Sequence, residues 1–419
     1  MKFDTHSIPA DWNITTIGEC CDILDYMRIP VNTEKRLNRQ GNIPYYGANG
    51  QQGWIDDYIF DEELVLIAED GGNFDDYANR PISYMIRGKS WVNNHAHILR
   101  AKENTSNSWI LYNLVHRDIR SYIQGGTRAK LNQSELRTIE LALPPLSEQH
   151  CIVTILDSID SQIHLTEQLI AKLKLQREGL LHDLLTRGLD EHGQLRDPVA
   201  HPELFKDSVL GRIPKDWKVD NILNHVSLPQ GQVDPKRFPF RDWPLIAPDH
   251  IESGTGRIIS IQTAAQQNAI SGKYTFLPGD VLYSKIRPYL RKATLADREG
   301  LCSADMYPLR PKDTMDSHFL LAIILGEHFS RFAIAVSMRS GFPKINRNEL
   351  GEYIVALPPY QEQKAIANTF ISLDNEIRVE QAHRDKLKLY KQGLMQDLLT
   401  GRVRVSAEES LPDAYQATL

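Results

Sequence analysis

The hydrophobic pattern is plainest between Leu143 and Thr186. Pro144 and Pro145 halt whatever precedes them, and no further proline or glycine follows until Gly179. Apolar residues then fall at Leu156, Ile159, Ile163, Ile170, Leu173, Leu180 and Leu184, the three-then-four stepping of a coiled-coil seam. The pattern returns from Leu357 to Thr400, with Phe370, Leu373, Ile377, Leu387, Leu394 and Leu398 in the stripe. The two copies align without a gap at an offset of 214 (357 minus 143) and share 19 of 44 residues. Both predict long helices, and the obvious partner for each stripe is the other copy. Polar residues at Thr166, Arg177, Glu380, Arg384 and Lys391 interrupt the seam. About 40 residues at 1.5 Å each make a rod and not part of a compact core. Ordinary bundle helices are the alternative, and the ungapped repeat argues against them.

The repeat reaches beyond the helices. Lys130-Leu131-Asn132 through Leu136 is matched by Lys344-Ile345-Asn346 through Leu350, again offset by 214, and each follows a glycine-containing loop, Gly125–Ala129 or Arg339–Pro343. Farther back, Ile8-Pro9-Ala10-Asp11-Trp12 is matched by Ile213-Pro214-Lys215-Asp216-Trp217 at an offset of 205, so the second unit is nine residues longer (214 minus 205). The plan is a variable domain, a constant helix, a second variable domain and a second constant helix. The intervening Arg187–Arg212 stretch, rich in Gly, Pro and charge, reads as a linker.

Each variable domain has mixed α and β patterning. Glu63–Ala68 and Pro81–Ile86 predict strands and Ser106–Ile123 a helix. In the second domain Asp280–Ser284 predicts a strand and Ser317–Val336 a helix. Turn signals at Gly47, Asn49, Gly50, Gly71, Gly72, Pro278 and Gly279 separate the extended runs.

Composition changes this picture little. The chain has 419 residues, 41% hydrophobic and 24% charged, with a net charge of -6. That balance is globular, and it argues mildly against nucleic-acid binding, which favours a basic footprint. The charge is uneven, however: Asp56, Asp57, Asp61, Glu62, Glu63, Asp75 and Asp76 make one region acidic, while Lys285, Arg287, Arg291 and Lys292 cluster in another. Phosphate contacts depend on such local patches. The four cysteines show no zinc spacing and no disulfide framework, no cationic leader precedes an apolar run, and no run approaches a membrane span. A reducing cytoplasm is the expected location.

Catalytic motifs are absent from the pattern. Leu357-Pro358-Pro359-Tyr360 resembles an amino-methyltransferase tetrapeptide, but that chemistry needs Asp or Asn first, to accept a hydrogen bond from the target amine. Its twin, Leu143-Pro144-Pro145-Leu146, lacks the aromatic as well. Gly47, Gly50 and Gly53 do not open a helix after a strand as a dinucleotide fingerprint would, and no GxxxxGK[ST] loop occurs. His95 and His97 alternate as strand neighbours, with no Cys or carboxylate at metal-ligand spacing, so no metal is expected.

The LPPLSEQ and LPPYQEQ openings, the K-L-K-L helices ending in DLLT, the IPADW and IPKDW starts, and IPYYGANG together resemble the specificity subunit of type I restriction-modification enzymes. The resemblance spans essentially the whole chain, in the family's order. It implies two α/β (mixed α+β) target recognition domains, joined by two long antiparallel coiled-coil helices with pseudo-twofold symmetry. Each domain would read half of a bipartite double-stranded DNA sequence, while the helices set the spacer and dock two modification (methyltransferase) subunits. Restriction (translocase and nuclease) subunits would add ATP-driven chemistry. The chain itself would be non-catalytic and cofactor-free, with S-adenosylmethionine, ATP and Mg on its partners. The boundaries are then residues 1–142 and 213–356 for the domains, 143–186 and 357–405 for the helices, 187–212 for the linker and 406–419 for a tail. A coiled-coil scaffold bearing two protein-binding domains is the alternative. A self-contained methyltransferase lacks its motifs.

Loop side chains able to donate to phosphate or read a base edge are the candidate DNA contacts. In the first domain these are Tyr46, Asn49, Arg80, Lys89, Asn93, Asn94, Arg128 and Lys130; Tyr46 reads equally well as a core aromatic. In the second they are Lys285, Arg287, Tyr289, Arg291, Lys292, Arg339, Lys344 and Arg347. The polar helix faces bearing Glu148, Gln149, Glu362 and Gln363 are the candidate partner-binding surface.

Overall fold

A computed structural model of the chain describes residues 8–123, 129–338 and 342–405. These divide into two compact units, one formed by the chain up to Thr166 together with the chain from His383 onward, the other by Glu167–Ala382. The long helices, Leu146–Thr186 and Tyr360–Leu398, therefore each contribute to both units.

In the first unit the Leu64–Ala68 strand is buried along its whole length, and its period of two feeds two cores. Val65 and Ile67 point into one with Trp109 and Ile110, while Leu64 and Leu66 point into another with Ile86, Val92 and Ile98. This strand sits inside a four-stranded antiparallel sheet, ordered Cys21–Ile23, Ala96–Ala101, Leu64–Ala68, Ser83–Ile86. A second sheet runs Gly50–Ile55, Ile43–Gly47, Lys89–Val92, Phe60–Asp61, with its middle pair parallel. Asn13–Thr16 pairs with Glu140–Leu143 and closes the domain on the start of the first long helix.

The second unit repeats this topology strand for strand. Its antiparallel sheet runs Val226–Ser227, Met306–Pro311, Val281–Ser284, Ala293–Leu295. The mixed sheet runs Gln262–Thr263, Pro244–Ile246, Gly300–Cys302, Tyr274–Phe276, again with a parallel middle pair. Lys218–Asn221 pairs with Ile354–Leu357 just as Asn13–Thr16 does with its partner. The repeat expected from the sequence thus extends to the divergent middles of the domains.

Two expected helices are shorter than their patterns. The first spans Asn107–Leu114, opened by the Ser106 hydroxyl, which accepts from the Trp109 amide. It does not reach residue 123: Asp118 accepts from the Arg120 amide in the break that follows, and a separate 3-10 turn forms at Arg120–Tyr122. The second divides into Ser317–Leu325 and Glu327–Ser337, bent by 59° at Gly326. A side chain at Gly326 would crowd Leu185 at 2.8 Å and the Ile323 carbonyl at 3.0 Å, so glycine eases the close approach at this bend. Among the described residues no single helix is long and apolar enough to cross a membrane.

The helices pair antiparallel inside each unit. In the first, Asp160 meets Lys391 while the end of the second helix, at Leu398 and Leu399, joins the core containing Ile152 and Leu156. In the second, Leu181 and Leu184 pack with Ile366, Ala367 and Phe370. Seam positions Leu156, Ile163, Ile170, Leu173, Leu184, Phe370, Ile377 and Leu398 are buried. The polar interruptions are structural: Arg177 bonds to Asp374 and Lys391 to Asp160, and the two pairs are images of one another at an offset of 214.

Candidate nucleic-acid interface

The four glutamates and glutamines expected to face a partner turn inward. The Glu148 carboxylate accepts from the Trp12 indole at 2.9 Å and from Arg404 at 2.8 Å, and Arg404 also holds Asp11. Burial would raise the Glu148 carboxyl, but the bonds from Arg404 and Trp12 hold it below its usual range. Glu362 repeats the arrangement, accepting from Trp217 at 3.1 Å and from Arg196, which also approaches Asp216. Gln149 and Gln363 are buried and each donates twice to main-chain oxygens, of Asn104 and Pro144 or of Thr314 and Pro358. These residues fasten each domain to its helix, and burial removes them from a docking surface. The expected linker shares in this: Arg196 lies in it, Leu189 bridges Leu195, and Phe205–Ser208 pairs with Gly211–Pro214.

The exposed polar side chains of the first unit converge where several strands end. Asn93–His95 forms the turn between Lys89–Val92 and Ala96–Ala101. The Asn93 amide donates to Tyr46 O at 3.0 Å, Glu69 N to His95 O at 2.9 Å, and Leu131 N to Glu69 O at 2.8 Å. The Asn93 side chain accepts from His95 N at 2.8 Å and donates to Gln52 at 3.1 Å. His95 Nδ1 lies 2.7 Å from Asp70 Oδ1, Asn49 donates to Gly71 O at 2.8 Å, and Lys130 pairs with Glu69 at 3.0 Å.

Of the sequence candidates, Asn49, Asn94 and Lys130 lie exposed in this neighbourhood. Asn93 is buried and organises the turn, while Tyr46 is half-buried against Tyr84, ring centroids 6.0 Å apart. Lys89 stacks over Tyr58 at the far end of the strand that leads to Asn93, and Arg80 is exposed after the Phe74–Asp76 turn. Arg128 and Arg339 lie outside the described residues.

Beneath the turn is a charged cluster. His97 Nδ1 meets Asp25 at 2.5 Å, and its Nε2 faces the Leu131 carbonyl at 2.8 Å. Glu69 completes a group of three with the spacing of metal ligands. The sequence expectation that no carboxylate lies near the two histidines fails, because Asp25, Glu69 and Asp70 approach only through folding. The cluster has its own cations, Arg28 at 2.6 Å from Glu69 and Lys130 beside it, so the donors serve an ion-pair network. Burial would raise the Asp25 and Glu69 carboxyls, but His97 and Arg28 at Asp25, and Arg28 and Lys130 at Glu69, hold both low.

The second unit builds the same main-chain frame. Ser303 N donates to Ile246 O, Lys285 N to Asp305 O and Ile345 N to Lys285 O, each at 2.9 Å, and the Ser303 hydroxyl accepts from Asp305 N at 3.2 Å. Lys285 is half-buried over Tyr307, Arg287 is exposed over Phe342, and Tyr289 and Lys344 are exposed. Three candidates are committed inward. Arg291 bonds to Leu325 O and Glu178, Lys292 to Pro248 O at 2.8 Å, and Arg347 to Leu228 O and Pro229 O while stacking on Tyr274 and Tyr307. Glu69, Asp70, Ser303 and Asp305 carry no sequence signal, and His95 carries one only as the strand neighbour of His97. The twins Glu69 and Lys285 are offset by 216 (285 minus 69), and His95 and Asp305 by 210 (305 minus 95), so no constant offset aligns them.

Known proteins share this architecture. The DNA specificity domain of type I restriction modification matches residues 9–175 and 244–389. The EcoDI type I restriction enzyme specificity subunit of Escherichia coli is 30% identical over 385 residues, covering 86% of this chain and 80% of its own. The MjaVIII specificity subunit of Methanocaldococcus jannaschii is 23% identical, covering 95% and 94%. Among solved structures, the type I restriction-modification S subunit from M. genitalium superposes with a TM-score of 0.60 at 14% identity, over 95% of this chain and 98% of that one. On the matched domains, the extent of the EcoDI likeness and the doubled fold, this chain belongs to the family of type I restriction-modification DNA specificity subunits.

Proposed function

We propose that the two units read the two halves of a split DNA sequence, and that the helices fix the number of unread base pairs between them. The observation that carries this is the strand-for-strand repetition of one domain topology with different side chains on the exposed turns. Asn49, Asn94 and Lys130 in one unit, and Arg287, Tyr289 and Lys344 in the other, present donors suited to base edges and phosphates. Modification subunits dock on helix faces that stay apolar and more than half exposed, at Leu165, Leu389 and Tyr390 in the first unit and at Leu175 and Val379 in the second. Methyl donor, nucleotide and Mg bind to those partners and to restriction subunits. Leu143 and Leu357 stand where an amino-methyltransferase tetrapeptide would need an acceptor side chain. The chain acts in the cytoplasm and performs no chemistry itself.

The test is strand-specific methylome sequencing of a host carrying the chain with its modification partner, against a host lacking only this chain. Loss of adenine methylation in one bipartite motif supports the proposal. Unchanged methylation, or loss in a continuous motif, contradicts it.

A further inference from the structure

The positions that fasten the units keep their residue types: Trp12 and Trp217, Glu148 and Glu362, Gln149 and Gln363, Asp160 and Asp374. Around the turns at Asn93–His95 and Ser303–Asp305 the reverse holds, although the main-chain frame is the same bond for bond. Glu69 is matched by Lys285, Asp70 by Ile286, His95 by Asp305 and Asn93 by Ser303; only the exposed amine, Lys130 or Lys344, is kept. A frame preserved to this degree while its side chains exchange acid for base does not serve packing, because burial and pairing would then constrain the residue types. It serves to present interchangeable chemistry at a fixed place.

We propose that His95 and Asp305 are twin specificity-determining residues, each reading a base edge in its own half-site. This deepens the DNA-reading function above and rests on it. Asp70 sits 2.7 Å from His95 Nδ1, and an ionised carboxylate can only accept, so Nδ1 donates to it and the half-exposed ring is held by that edge. Nε2 is the ring atom left to meet a base edge. Asp305, exposed and acceptor-only when ionised, takes the amine of cytosine or adenine. Lys130 and Lys344, one strand away, supply the neighbouring phosphate contact.

The experiment places His95→Gln and Asp305→Asn separately in the full chain, with its modification partner, and determines the methylated motif for each. Each variant is expected to lower preference for one base pair in one half-site by roughly tenfold or more, the two acting on opposite halves. Because both side chains are surface-accessible, neither substitution disturbs the core. Unchanged base preference in both variants, or an equal loss at every position of both half-sites, overturns the proposal. A wild-type chain that yields no split motif would instead fail the DNA-reading function itself.

Discussion

Lys391 reaches Asp160 within the first unit, Nζ to Oδ1 at 2.6 Å, and the same bond recurs in the second unit as Arg177 with Asp374. The two pairs differ in burial. Arg177 is 5% exposed and stacks on Phe370 at 4.5 Å, whereas Asp160 is partly open to water. Asp374→Ala leaves the buried guanidinium with Glu178 at 3.4 Å and the Phe370 ring, and is expected to cost about 3 kcal/mol, the low end for a broken buried pair. Lys391→Ala should cost under about 1 kcal/mol. The double change Arg177→Leu with Asp374→Leu should be near neutral or stabilising, since a well-packed apolar pair escapes desolvation. Urea unfolding of the three variants checks the order.

Gly188 has φ +63°, and a side chain there would meet Glu362 Oε1 at 2.2 Å and Trp217 Cζ2 at 2.5 Å. Gly188→Ala therefore adds left-handed strain of about 1–2 kcal/mol and pushes apart the bond joining Trp217 to Glu362. Trp217→Phe, which keeps most of the volume and removes one donor, should cost only about 1 kcal/mol. Thermal melts that rank Trp217→Phe as the worse variant would refute this account of the clamp.

The frame of the molecule was legible in the sequence because it is written in repeated apolar spacing and invariant pairs. The seam from Leu156 to Leu184 has a periodic signal, the Trp12 and Trp217 anchors a repeated motif, and the strands at residues 64–68 and 281–284 short apolar runs bounded by polar residues and turns. What failed is what depends on long-range encounter. Glu148 and Gln149 look like a solvated helix start, and only the return of Arg404 and the Asn104 main chain buries them. Arg291 and Arg347 look like phosphate ligands until folding brings carbonyl oxygens to them. His95 and Asp70 are 25 residues apart and carry no common motif.

Acid should weaken the first unit through Asp25 and Glu69. Both carboxyls are held below their ordinary values when folded, so their contribution is complete above the unfolded pKa, near about 4. It is lost as pH falls through the lower folded values. Urea midpoints should be flat from pH 6 to about pH 4.5 and then fall, and Asp25→Asn should flatten that decline. A midpoint that rises on acidification contradicts the sign.

Phosphate contacts and tethered cations separate in salt titrations. Arg287→Ala and Lys344→Ala should weaken binding of all sequences alike, each reducing the log–log salt slope by about 1. Arg291→Ala and Arg347→Ala should lower the unfolding midpoint and leave that slope unchanged, because those guanidinium groups hold the protein's own carbonyls. Filter-binding slopes for the four variants distinguish the two groups.

The proposed spacer role ties the two half-sites to one separation, and one base pair of spacer moves a half-site by about 3.4 Å along the duplex. The most direct measurement is methylation, by the chain with its modification partner, of duplexes carrying both half-sites at native spacing and with one base pair added or removed. The account predicts that either change lowers methylation about a hundredfold, to the level of a single half-site, because only one unit can then engage. Equal methylation at all three spacings would contradict it.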